Sequence, residues 1–360
     1  MSNNALDTAI LPQPLAPSGV LSGKSLGAML LLALMWGLSI PITKLGLGTI
    51  PPMTFTALRF MVAVPLFMFL ARRELRLPRE AVPGVIGLGV MGITLGNVAQ
   101  SYGVQGTSAS VGTILSATIP IFMVILAAIR FGQPVTFVQW GGLAAAFFGI
   151  ALVAIGSGSG VDDMSKTTIP GVVWMLVSAV GIASYYIWSA ELTARYGLMP
   201  VAAWNMLVGL LTVLPLAGWE MTDHPVEITA AAVAAITYLG VMVTVVGLIL
   251  WLYLLKVVPA RVAASFQYLQ PVFGITASTF LFGDRLGLLF GAGVVLVLAV
   301  AQNVNILATS RTLIALGRRY SAVTFLVTPP SSSHLPVDPA PRPQRRRQLS
   351  TFRQSSSDRV

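Results

Sequence analysis

The chain contains no cysteine and only two histidines, and charged residues make up 9% of its 360 positions. Without cysteine there are no disulfides, thiolate metal ligands or thiol nucleophiles. His224 and His334 are too far apart in sequence for a histidine metal site. An ordinary soluble domain carries roughly 25% charged residues, so so little charge cannot cover a soluble surface. What is present is apolar: 55% hydrophobic residues and a mean hydropathy of +0.82. That excludes disorder over most of the length and points to an all-α polytopic membrane protein.

The net charge of +10 is concentrated. Residues 311–360 hold nine arginines and two acids, Asp338 and Asp358, while the rest of the chain is nearly balanced. A basic stretch beside a membrane domain favours the anionic cytoplasmic leaflet, and nucleic acid is not an expected partner. Residues 1–24 read as a disordered cytoplasmic lead-in, since Asp7 and the missing basic n-region argue against a cleaved signal peptide.

A hydrocarbon core of about 30 Å takes some 20 apolar residues per helix. Ten runs qualify: 25–47, 53–71, 83–103, 109–129, 136–156, 169–190, 200–219, 229–254, 262–282 and 287–308. With the N-terminus inside, 18 Lys and Arg fall in inner segments and two, Lys166 and Arg285, in outer ones. Positive charge marks the cytoplasmic side. Both termini are therefore expected inside, with Glu220 and Asp223 in an outer loop.

Shifting the sequence by 151 residues lays LGVM at 88–91 on LGVM at 239–242, Tyr102 on Tyr253, Pro120 on Pro271 and Phe131-Gly132 on Phe282-Gly283. Two five-helix halves follow, 25–156 and 169–308, with a basic, Pro/Ser-rich and largely disordered tail at 309–360. Five is odd, so the halves are inverted, an architecture that gives alternating access.

LALMWGLSIPITKLGL followed by ALRF, and the endings SATIPIFMVILAAIRFGQPVTFVQWGG and YLQPVFGITASTFLFGDRLGLLFGAG, resemble the drug/metabolite transporter superfamily in its EamA-type branch. The second ending keeps the family's acidic-basic pair in FGDR, and the first has Gln133 in place of the acid. The resemblance covers about 25–308. It implies a secondary carrier in the plasma (inner) membrane, an exporter of small metabolites such as amino acids. A channel-like or facilitative permease is the alternative. An intramembrane enzyme would need a carboxylate pair, a Ser/His pair or a zinc set inside the spans, and the sequence offers none. No cofactor is expected.

Charge inside a span is costly. Lys44 reads as snorkelling to the outer interface. Arg59 lies deeper and has two readings: bonding helix carbonyls, or gripping an anionic group with its fork. Glu191 reads as an interfacial partner of Arg195. Trp36, Arg59, Asn97, Tyr102, Trp251 and Gln267 are polar or aromatic residues in spans of both halves, and they form the candidate substrate site. Pro120 and Pro271 are candidate mid-helix hinges.

Overall fold

The computed structural model describes residues 23–131, 137–156, 167–258, 266–284 and 286–300. The tail 309–360, nearly all of the lead-in, the FGQP turn and Arg285 lie outside them. The described residues are helical, with no strand among them. Short connections group the helices into ten segments, labelled α1 to α10.

Segment α1 runs over Gly23–Gly46 and breaks at Leu38, between Gly23–Gly37 and Ser39–Gly46. Pro41 explains the break: it has no N–H for the Gly37 carbonyl four residues back, and its ring crowds that group. Segment α2 is Pro52–Ala71, started by proline in its first turn. Segment α3 is Arg79–Gln105 and includes a π-helical stretch, Gly89–Leu95. Segment α4 consists of Ala109–Ser116 and Ile119–Phe131, and α5 is Phe137–Gly156. Thr168 caps α6, Ile169–Tyr196, by accepting from the Gly171 amide. Gly197, at φ 88°, then turns the chain directly into α7, Leu198–Asp223.

Thr229 caps α8, which runs through Ala230–Thr237, a second π-helical stretch at Tyr238–Val246, and Gly247–Val257. Segment α9 is Gln270–Phe282, entered through a 3₁₀ turn at Gln267–Leu269, and α10 is Leu288–Val300.

Among the described residues, seven helices are long and apolar enough to cross a membrane: α1, α2, α3, α4, α6, α7 and α8. The other three expected spans correspond to α5, α9 and α10. Large apolar side chains such as Phe69, Ile129, Phe148, Leu211, Phe280 and Leu288 point outward. In water this surface would drive aggregation, whereas lipid solvates it. The chain is an integral, multi-pass membrane protein.

Helix α2 supplies much of the core, with Phe55, Phe60 and Phe67 fully buried. It packs along α7, and α3 packs along α6. The two π-helical stretches face α7 and α2, respectively. Helix α1 lies against α8 and α9, and α4 lies against α6 and α9.

Two expectations need correction here. Pro120 and Pro271 are not mid-helix. Each stands in the first turn of a helical piece, just after the break at Ala117–Thr118 or the 3₁₀ turn before α9. Proline is cheapest there, where its missing N–H would have no partner anyway. Glu220 is not in a loop either: α7 continues past it to Asp223.

Candidate functional site

The polar side chains form two groups. The first lies at the level of the second π-helical stretch. A π turn bonds i to i+5 and leaves carbonyls out of the regular ladder. Trp36 Nε1 on α1 donates to the Val243 carbonyl at 3.1 Å. Arg59 Nη2 on α2 donates to Thr244 Oγ1, also at 3.1 Å. The Thr244 hydroxyl donates back to the Leu239 carbonyl at 2.7 Å. Tyr238 Oη donates to the Met35 carbonyl at 2.9 Å, tying α8 to α1 again. Trp36 and Trp251 face each other with ring centroids 6.0 Å apart, and Phe266 joins the same apolar cluster. The Gln267–Leu269 turn packs against α1, and Gln270 donates to Gln267 across that turn. Trp36, Arg59, Trp251 and Gln267 therefore lie on the α1, α2, α8 and α9 side of the bundle.

The polar groups of Asn97 and Tyr102 bond elsewhere. The Asn97 amide donates to the Ile93 carbonyl of its own helix at 2.8 Å. Tyr102 stacks on Trp174 of α6, with centroids 5.6 Å apart, and its hydroxyl points to α7. These two belong with α3, α6 and α7, where Asn205 is fully buried beside Tyr185. On that side Thr94 bonds Thr212 and donates to the Gly209 carbonyl, linking the first π-helical stretch to α7.

The second group seals one end of the bundle. Glu220 is 6% exposed, and four donors fill its carboxylate. They are the Met53 amide (3.1 Å), the Thr54 amide (2.7 Å), Thr54 Oγ1 (2.9 Å) and Tyr102 Oη (3.0 Å). The carboxylate caps the positive end of the α2 dipole. Lys44, only 3% exposed, turns inward and donates to the carbonyls of Val104, Gln105 and Thr107 at 2.9, 2.9 and 2.6 Å. Snorkelling is thus overturned: the ammonium fills the orphan carbonyls at the end of α3, where a cation suits the dipole. Asp284 of the FGDR turn accepts from the Ser110 amide at the start of α4, at 2.9 Å.

The Gly106 carbonyl accepts from both the amide and the hydroxyl of Thr168. At the opposite end, Arg130 pairs with Glu191 at 3.1 Å, so Glu191's partner is on α4 and is not Arg195. Trp204 Nε1 there donates to the Leu75 carbonyl.

Sequence reasoning missed Glu220, Thr244 and the role of Lys44. The signal for Glu220 was its place between two large apolar residues, Trp219 and Met221, just before the polar run at 222–224. Among the described residues, no group of three His, Cys, Asp or Glu side chains could hold a metal ion.

The arrangement places a guanidinium on α2 and an aromatic pair on α1 and α8 beside one π-helical stretch, and a bonded carboxylate and ammonium at one end of the bundle. If Gln267 contributes to the candidate substrate site, Gln267→Leu should raise the apparent KM several-fold with membrane insertion unchanged. Uptake kinetics in vesicles measure the first, and cell fractionation the second.

Comparison with known proteins identifies relatives of the chain. The EamA-like transporter family profile matches the chain twice, at 23–155 and 169–302. The uncharacterized transporter YdfC of Bacillus subtilis is 26% identical over 255 residues, covering 69% of this chain and 80% of its own. A probable terminal-alkyne amino-acid exporter of Streptantibioticus cattleyicolor is 28% identical, over 69% of this chain and 82% of its own. The uncharacterized inner membrane transporter YedA of Escherichia coli is 24% identical, over 72% of this chain and 83% of its own. One crystal structure shares the fold with a TM-score of 0.53 at 18% identity, over 80% of this chain and 98% of the other. With two profile matches that together span most of its length, the chain belongs to the EamA-like transporter family.

Proposed function

We propose that this protein is a secondary transporter that exports small amphipathic metabolites, amino acids among them, across the plasma (inner) membrane by alternating access. Its ten spans form two inverted five-helix halves, 25–156 and 169–308, with both termini cytoplasmic.

The observation that carries this reading is the pair of π-helical stretches. Gly89–Leu95, moved by the 151-residue shift, falls on 240–246, inside Tyr238–Val246. An uncommon local structure at matched positions supports an internal repeat more strongly than shared apolar composition does. The packing partners support it too. Exchanging the halves turns the α3–α6 contact into α8–α1, α3–α7 into α8–α2, and α4–α6 into α9–α1. The α2–α7 and α4–α9 contacts map onto themselves. The amino-acid cargo rests on the name of the Streptantibioticus relative together with the amphipathic chemistry around Arg59.

In this orientation the end sealed by Lys44, Glu220 and Asp284 faces outward, so the conformation is closed to the outside. Glu220 has all its acceptor sites occupied, which fits facilitated diffusion or exchange better than a free proton relay.

Two experiments test the proposal. The first is transport in sealed vesicles. Saturable uptake with counterflow is expected, and linear, non-saturating flux would replace the carrier by a channel. The second uses the absence of native cysteine. Cysteine at Asp223 should react with an impermeant thiol reagent from outside intact cells, and cysteine at Arg76 should not. The reverse labelling would overturn the orientation.

A further inference from the structure

Arg59 is unusual for a largely buried cation because its charge has no ion-pair partner among the described residues. A guanidinium is permanently charged and carries five N–H donors. Here one nitrogen donates to Thr244, and Nε is buried with no acceptor. The single ion pair among the described residues is Arg130–Glu191, at one end of the bundle. Glu220 is filled by its four donors, and Asp284, bonded through Oδ2 at the start of α4, faces the charge of Lys44. Arg59 lies about two turns into α2, roughly 10 Å along its axis. A charge at that depth, uncompensated and only part-bonded, is expensive to keep.

The surroundings fix its direction. The Thr244 hydroxyl spends its proton on the Leu239 carbonyl, so toward Arg59 it can act only as an acceptor. The next residue back, Val243, is already bonded by Trp36 Nε1, and the Trp36–Trp251 pair stands further along α8. A guanidinium whose Nε is unpaired therefore sits beside the same stretch of α8 that holds an aromatic pair.

We propose that Arg59 is the anion-recognition point of the transported molecule. It takes a carboxylate whose apolar body lies along α8 against Trp36 and Trp251. This rests on the transporter reading and narrows the cargo to amphipathic monocarboxylates, for which the carboxylate decides recognition. A planar carboxylate offers the guanidinium two oxygens, which a neutral amide of the same shape cannot do with charge.

The test is direct binding to the purified full-length protein, measured by competition among matched probes. Benzoate, phenylacetate and hexanoate are compared with benzamide, phenylacetamide and hexanamide. The acids should bind at least about tenfold more tightly than their amides. Arg59→Gln should erase that preference, and Arg59→Lys should keep part of it, because a point charge replaces the fork. If Arg59→Gln does not fold, Thr244→Val removes the orienting acceptor and leaves the charge. It should then retain a preference for acids, at changed affinity. Equal binding of acids and amides, failure of all three acids to bind, or an undiminished preference in Arg59→Gln would each overturn the proposal. Counterflow in wild-type vesicles separates the two ideas: transport without acid selectivity defeats this inference alone, and acid-selective binding without transport defeats the transporter reading.

Discussion

Glu220→Ala should destabilise the protein by about 2–4 kcal/mol, seen as a lowered unfolding midpoint in detergent. Removing the carboxylate strands two backbone amides at the start of α2, the Thr54 hydroxyl and the Tyr102 hydroxyl at once. Charge-assisted hydrogen bonds are worth about 1.5–3 kcal/mol each, and losses within one network do not simply add. Glu220→Gln should cost less. Its amide oxygen still serves one side, while its NH₂ group faces donors that want an acceptor. Tyr102→Phe removes one of the four charge-assisted bonds and should cost about 1.5 kcal/mol. An unfolding midpoint in Glu220→Ala equal to wild type would show that water replaces the carboxylate and that the seal is not structural.

Gly171→Val should be comparably damaging, for a steric reason. A Cβ at Gly171 would lie 2.2 Å from the Gly106 carbonyl oxygen and 2.4 Å from its carbon. Those are backbone atoms, so no rotamer change relieves the clash, and α3 and α6 must separate. The same carbonyl receives the Thr168 amide and hydroxyl, both of which separation would pull away. Overpacking alone costs about 1–3 kcal/mol, and the lost bonds add to it. Reduced accumulation and early thermal unfolding are expected. Gly27→Val is the control, because nothing lies within 4 Å of a Cβ there. A Gly171→Val protein as stable as this control would show that the close approach is dispensable.

Much of the fold was legible because hydropathy reports lipid contact directly. The starts of α2, α4, α6 and α8 fall within a residue or so of the apolar runs. Polar contacts were less legible, since they depend on which helices become neighbours. Arg195 is four residues from Glu191 on the same helix, yet Arg130 takes the carboxylate because α4 packs on α6. Lys44 seemed an interfacial residue because composition says nothing of side-chain direction. Its partners, Val104 to Thr107, are carbonyls, which no residue type announces. Of the six candidate site residues, Asn97 was the least readable. Its amide looked available for a ligand, but a helical asparagine can satisfy itself on the carbonyl one turn back.

The π-helical stretches also bear on how such a sequence tolerates insertions and deletions. Within a regular helix, one residue more or less rotates everything beyond it by about 100° and moves it 1.5 Å along the axis. A π turn holds such an extra residue as a local bulge, so deleting one residue there can restore α-helical bonding without breaking the span. The cost falls inside the stretch. Deleting Val241 would leave Trp251 near its present direction and remove the wide turn whose Val243 carbonyl and Thr244 hydroxyl hold Trp36 and Arg59. Length changes of one residue, ruinous elsewhere in these helices, could be absorbed as structure here and expressed only as altered selectivity.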